Sequence, residues 1–288
     1  MDFTLFTYKA LLENLHQNYT FLPFSTFIQS TNPAINKSLI ILRHDVDRLP
    51  ENSLRTAQIE NSLGIKGSYY FRVVPESYNL EIMEQIAKLG HEIGYHYEDV
   101  DLVLQRHPSS FTKRTTPRLK KEELIDLAYE SFCKNLEMFR ENFDVKTICM
   151  HGSPRSKYDN RIIWSKYNYK DLGIIAEPYF DIDFNEFAYF TDTGRRWNGN
   201  KFSIRDKVKS KYNFDFKTTQ DIIDNIDKLP NKLMFTVHPE RWTNRLIPWT
   251  KQLVMQNVKN VVKRVVIKTK LIRLRSKNEL RRDRSVSV

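Results

Sequence analysis

Leu39-Ile40-Ile41-Leu42-Arg43-His44-Asp45-Val46-Asp47 is the stretch on which the fold of this chain turns. Four apolar residues run unbroken and then give way to an arginine, a histidine and two aspartates one residue apart. A short apolar run of that kind reads as a buried strand, and in parallel α/β proteins the chemistry sits where strands end. Taken alone, the stretch reads equally well as a strand followed by a helix-capping aspartate. Recurrence of the pattern along the chain decides between the two.

Upstream, residues 8–18 fit a short amphipathic helix, and Pro23 and Pro33 punctuate the segment between it and the strand. Downstream, Pro50 opens a helical stretch that Gly64 stops. Residues 67–73 read as an aromatic-rich strand, and 80–89 as a helix closed by Gly90. The strand at 91–96 ends in Tyr97-Glu98-Asp99, and residues 117–143 make the longest helical pattern. The strand at 146–150 ends in His151-Gly152-Ser153-Pro154. Shorter candidates lie at 174–176 and at 187–190, the second ending in Thr191-Asp192-Thr193-Gly194. After a helix at 218–226, a last strand at 233–237 ends in His238-Pro239. Alternating strands and helices predict a mostly parallel sheet, open or closed into a barrel. One domain over residues 1–250 followed by a tail at 251–288 is the simplest division.

Length and composition fit such a domain. The 288 residues can bury a substantial core, and 40% apolar with 12% aromatic residues marks a globular chain. The first residues lack the basic start and apolar stretch of a secretory signal, and no run reaches a membrane span. Cys133 and Cys149 form no CxxC pair and read as free thiols. A cytoplasmic location, extending to the inner face of the membrane, is the expectation.

Histidine concentrates at strand ends: His44 beside Asp45 and Asp47, then His96, His151 and His238, out of seven in the chain. Imidazoles with carboxylates suit zinc or another borderline divalent ion with an open position for water. A carboxylate outside the ligand set can then take a proton from that water, and a further histidine can protonate the departing group. His91 begins its strand and belongs at the other end, while His107 falls in a polar loop.

The succession RHDVD (43–47), GHEIGYHYED (90–99), MHGSP (150–154) and TVHP (236–239) resembles the NodB-type polysaccharide deacetylases, carbohydrate esterase family 4. More closely, it is similar to a divergent intracellular branch found with surface-polysaccharide biosynthesis genes. The resemblance implies a deformed (β/α) barrel and metal-dependent removal of an acetyl group from a sugar. It makes Asp45 the base, Asp47 and His96 metal ligands, and His238 the acid. The chain departs from the family pattern in two places. Val46 separates the aspartates, although i and i+2 on a strand share a face. The family's second metal histidine would fall on Val100. His151 is the expected replacement because it also ends a strand, with Glu98 as the alternative. Arg195 and Trp197 are expected to bind the sugar, because arginine and tryptophan suit anionic groups and sugar faces. Hydrolysis of another C–N bond on the same barrel, and non-catalytic carbohydrate binding, are the alternative functions.

The net charge of +11 is unevenly placed. From Lys251 onward there are 12 Lys or Arg and 2 acids, leaving +1 for residues 1–250. Val254, Val258, Val261, Val262, Val265 and Val266 recur among the basic residues at helical spacing, as a membrane-surface helix would have them. An anionic membrane surface is therefore an expected partner, and nucleic acid is not, since the nearly neutral body offers no recognition motif. A packed helix to about residue 267 with a solvated end is the other reading.

Overall fold

Seven strands, all parallel, pair into one sheet in a computed structural model that describes residues 1–31, 38–106, 119–152, 156, 158–198 and 208–260. In chain order these are β1 (Thr20–Leu22), β2 (Leu39–Val46), β3 (Ser68–Phe71), β4 (Glu92–Tyr97), β5 (Ile148–Met150), β6 (Ala188–Thr191) and β7 (Lys232–Val237). Helix α1 (Leu5–His16) precedes β1, and α3 (Pro50–Ser62), α4 (Leu80–Lys88), α5 (Asp99–Arg106) and α6 (Lys121–Arg140) lie between later strands. Shorter helices are α2 (Phe24–Gln29), α7 (Pro178–Asp181) and α8 (Thr219–Ile223), and a last helix begins at 246 and is described to 260. His107, Pro117 and residues 261–288 of the tail lie outside the described residues.

β2 is the hub. The strand order is β5-β4-β3-β2-β7-β6, and the opposite edge of β2 from β7 is shared by two strands. β1 pairs its first half, Leu39 to Ile41, and β3 pairs its second half, Arg43 to Val46. All eight β2 residues are buried, as an apolar run covered on both faces requires.

The sheet curls strongly. Cys149 on β5 and Asp45 on β2 are three strand spacings apart, which would be about 14 Å in a flat sheet at about 4.8 Å per strand. Cys149 Sγ in fact lies 4.0 Å from Asp45 Oδ1. The edge strands β5 and β6 do not pair, so the expected deformed (β/α) barrel is present and open at that seam.

Side-chain alternation then separates an inside from an outside. Ile40, Leu42 and Val46 point outward to two apolar clusters, one with α1 and α8 and the other with α3, α4 and α6. Leu39 and Ile41 point inward to a third, with Phe24, Phe187, Tyr189 and Met234, which plugs the barrel at the N-terminal ends of the strands. Above that plug the interior turns ionic, beginning with Arg43. Gly94 serves this interior: a Cβ there would collide with the Tyr70 ring, so only glycine lets that ring lie across β4.

Two sequence readings differ from this fold. Residues 174–176 contribute a single bridge, Ala176 to Thr147, because the chain turns at once into the Glu177 cap of α7. β1 was not legible, being three residues of Tyr19-Thr20-Phe21-Leu22 cut short by Pro23.

Candidate metal centre

Three of the inward-facing positions at the strand ends bring Asp47, His96 and His151 together, with one ligand atom of each within 4.8 Å of the others. His96 Nε2 lies 3.6 Å and His151 Nε2 3.4 Å from Asp47 Oδ1. Two ligands held at about 2.05 Å in tetrahedral geometry stand about 3.3 Å apart, so the spacing is that of a divalent-ion site. Asp47 Oδ1 is shut from solvent and accepts no hydrogen bond among the described residues. A buried carboxylate oxygen facing two imidazole nitrogens is a donor set that fits a cation.

The chain fixes both rings from behind. His96 Nδ1 donates to the Cys149 carbonyl at 2.9 Å, leaving Nε2 to face Asp47. His151 Nδ1 lies 3.0 Å from Glu98 Oε2. Glu98 is itself held by the Arg72 guanidinium, through Nε at 2.8 Å and Nη2 at 2.8 Å, while Arg72 Nη1 donates to the Asp47 carbonyl. Glu98 thus stands behind His151 in contact with its other nitrogen. Burial opposes the His151 charge, but Asp47 and Glu98 outweigh it and raise the imidazole above its ordinary value. Proton and cation therefore compete for Nε2.

Asp45 sits deeper, with its Oδ2 3.8 Å from His96 Nε2. Arg43, two residues earlier on the same face of β2, grips it with both arms, Nε to Oδ1 at 2.8 Å and Nη2 to Oδ2 at 2.7 Å. Burial alone would raise the Asp45 carboxyl; Arg43 and His96 override it and hold it far below the usual carboxylate range. Tyr179, whose hydroxyl accepts from Arg43 Nη2 at 3.0 Å, braces the guanidinium.

His238 closes the other side. Its Nδ1 is 2.6 Å from Asp192 Oδ1, and its backbone N–H donates to Asp192 Oδ2 at 3.0 Å. Arg241 Nη1 and Trp242 Nε1 donate to the same carboxylate at 2.6 and 2.8 Å. Burial and Arg241 pull the His238 imidazole down, but Asp192 prevails and it rises to about 9. With Nδ1 engaged by Asp192, Nε2 is the nitrogen left for a reacting group.

The centre opens in one direction. Asp45 and His96 side chains are 6% and 2% exposed, whereas Asp47 is 25% and His151 16% exposed.

Several positions differ from the sequence expectation. His44 is outside the barrel: its neighbours in β2 point inward, so it points outward, onto Tyr69 and toward Tyr8 and Glu60. Arg195 and Trp197, expected to bind the sugar, make their described contacts away from the Asp47, His96 and His151 grouping. Arg195 turns to the C-terminal helix, donating to the Arg241 carbonyl and to Gln252, over the Phe3 and Trp249 rings. Trp197 is 3% exposed in the outer apolar cluster, where its Nε1 donates to Thr219. Sequence reasoning missed Asp192, Arg43 and Arg72. Asp192 carried the same signal as Asp45, an acid at the end of an apolar run, and Arg43 lies two residues before Asp45.

The sequence matches no protein-family model and no curated protein. Two solved structures are similar to the chain, both at TM-score 0.38: a BA3943 mutant described as a CE4 family pseudoenzyme with restored enzymatic activity, at 14% identity, and a BA3943 mutant described as a CE4 family pseudoenzyme, at 16%. Each alignment covers 79% of this chain, and the chain spans only 64% of either protein's length.

Proposed function

We propose that this chain is a divalent-metal-dependent hydrolase that removes an acetyl group from a sugar. The single observation carrying the reading is the Asp47, His96, His151 grouping at 3.4–3.6 Å, with the Asp45 carboxylate and the Asp192-paired His238 flanking it. Asp47, His96 and His151 are the residues that would hold the ion, with Glu98 orienting His151. A divalent ion, zinc by the donor set, supplies Lewis acidity and makes a bound water acidic near neutral pH.

The remaining roles belong to the chain. Asp45, kept ionised and aimed by Arg43, is the group placed to take a proton from the attacking water. The Arg43 grip lowers its basicity, so Asp45 suits a water that is already acidic. His238 carries its proton at neutral pH, because Asp192 holds the imidazole near 9, and Nε2 delivers it to the departing amine or alcohol. Burial of Asp45 and His96 keeps bulk water from the proton path, while the exposed side at Asp47 and His151 admits the substrate. The motif resemblance supports the sugar and its place in surface-polysaccharide synthesis inside the cell.

The test is acetate release by the zinc-loaded protein from acetylated nucleotide sugars, lipid-linked glycans and chito-oligosaccharides. Release from one class, lost in Asp45→Asn, is the expected result. Stoichiometric metal with no acetate from any of them would sink the deacetylase reading.

A further inference from the structure

The C-terminal helix is amphipathic the wrong way round for a helix packed on a protein. At residues 246–260 the side turned to the body carries Gln252, Gln256 and Asn260 beside Trp249 and Leu253. Gln252 donates to the Glu240 carbonyl, Asn260 to the Gly194 carbonyl, and Gln256 to Asn260. Trp249 joins them through its Nε1 bond to the Asp2 carbonyl. The opposite side carries Ile247, Val254 and Val258, which are 81%, 57% and 60% exposed, with the exposed Leu246 and Met255 toward its flanks. At 100° per residue the first three lie within about 40° of one another, so they form one stripe. Half of the exposed large apolar side chains among the described residues belong to this helix. Phe6, 75% exposed, stands at its start, where the Phe6 N–H donates to Asn244.

Charge names the occupant. Residues 1–250 carry a net +1, whereas 12 Lys or Arg against 2 acids follow from Lys251. A second copy would set one such tail against another, and nucleic acid has no use for an outward stripe of valine and isoleucine. A surface that offers negative charge and an apolar interior together accommodates both features. We propose that the helix beginning at Leu246 docks the protein on anionic lipid bilayers, its Ile247–Val254–Val258 stripe entering the acyl boundary while the basic residues from Lys251 onward meet the headgroups. Polar contacts from Trp249, Gln252 and Asn260 set the orientation of the described part of the helix on the barrel. The inference is independent of the metal centre and of the reaction proposed above.

The test is co-sedimentation of the full chain with vesicles of phosphatidylcholine alone and with a third of phosphatidylserine. Binding to the anionic vesicles is expected to exceed that to neutral ones by at least about tenfold, and to weaken between about 0.1 M and 1 M salt, as the screening length falls from about 10 to 3 Å. Val254→Asp with Val258→Asp should cut binding at least about tenfold with unchanged Tm, since both side chains face solvent. Replacing Lys263, Arg264, Lys268 and Lys270 by glutamine in the full chain should cut it by a similar factor. Equal binding to both vesicles, or binding that ignores the aspartate pair, would overturn the proposal. So would a dimer in solution that the aspartate pair dissolves, which would give the stripe to a second copy. Absence of vesicle binding, with the stripe protected from proteolysis by residues 261–288, would give it to this chain's own tail and also overturn the proposal.

Discussion

Alternate residues of β2 build two histidine–carboxylate clusters back to back, one on each side of the sheet. Outside, His44 meets Glu60, whose Oε1 also takes the Tyr8 and Tyr69 hydroxyls at 2.6 and 2.7 Å, and His91 completes the group. Both His91 nitrogens are committed to the backbone, accepting from the Gly67 N–H and facing the Ala57 carbonyl. Every side chain in the two ion-pair contacts of that cluster is fully buried. Inside, Asp45, Asp47, His96 and His151 use the same chemical groups, but Asp47 and His151 reach solvent and their ligand atoms face one another. Residue type, then, does not separate structure from function. What separates them is whether anything can enter: the outer ion pairs are sealed, while His151 and Asp47 are 16% and 25% exposed.

Substitutions on the two sides should therefore fail in different ways. The largest effect belongs inside. Asp45→Asn and His238→Ala should each lower kcat by ~10²–10⁴-fold while the ion stays bound, read by steady-state kinetics beside metal analysis. Outside, Glu60→Ala leaves His44 and two tyrosine hydroxyls without their partner and should cost about 3–5 kcal/mol in urea unfolding. Activity per folded molecule should survive it. Loss of metal without loss of stability in Glu60→Ala would erase the distinction between the clusters.

Smaller changes sharpen the inner site. Glu98→Gln should weaken metal affinity by ~10–100-fold, in a competition titration, because His151 loses the carboxylate behind its ring. The alkaline limb of the pH profile supplies the smallest effect. His238 is raised from 6.5 to about 9, so turnover that needs its proton should fall as pH rises through about 9. Asp192→Asn removes the charge that raises it and should move that limb to lower pH. The same shift has a stability consequence of fixed sign. The folded value is the higher one, so its contribution is complete below 6.5 and is lost as pH rises through about 9.

Much of the inner centre was legible because each member ends a strand, and an apolar run that stops at His or Asp is visible in one dimension. Asp47, His96, His151 and His238 were singled out that way, and the fold brings ligand atoms of the first three together. The rule of alternation that kept Asp45 and Asp47 on one face also sends His44 to the other, and counting strand-end histidines alone concealed it. Arg43 and Arg72 were illegible because their value lies in which carboxylate they reach, and pairing across strands is set by register. Arg195 and Trp197 suggested a sugar site by residue type, but burial among Phe3, Trp242 and Trp249 is a property of the fold. The C-terminal helix shows the same limit from another side. Its helical spacing was plain in the sequence, yet nothing in the spacing said that the apolar stripe would face away from the body.

The central claim is that the inner cluster binds a cation and the outer one does not. Calorimetric titration of zinc into chelator-stripped protein tests it most directly, with His96→Ala and His44→Ala alongside the natural chain. One ion per chain is expected in the natural protein and in His44→Ala, with none held in His96→Ala although its Tm without metal is unchanged. Equal binding by the natural chain and His96→Ala, or no stoichiometric ion in either, would contradict the claim.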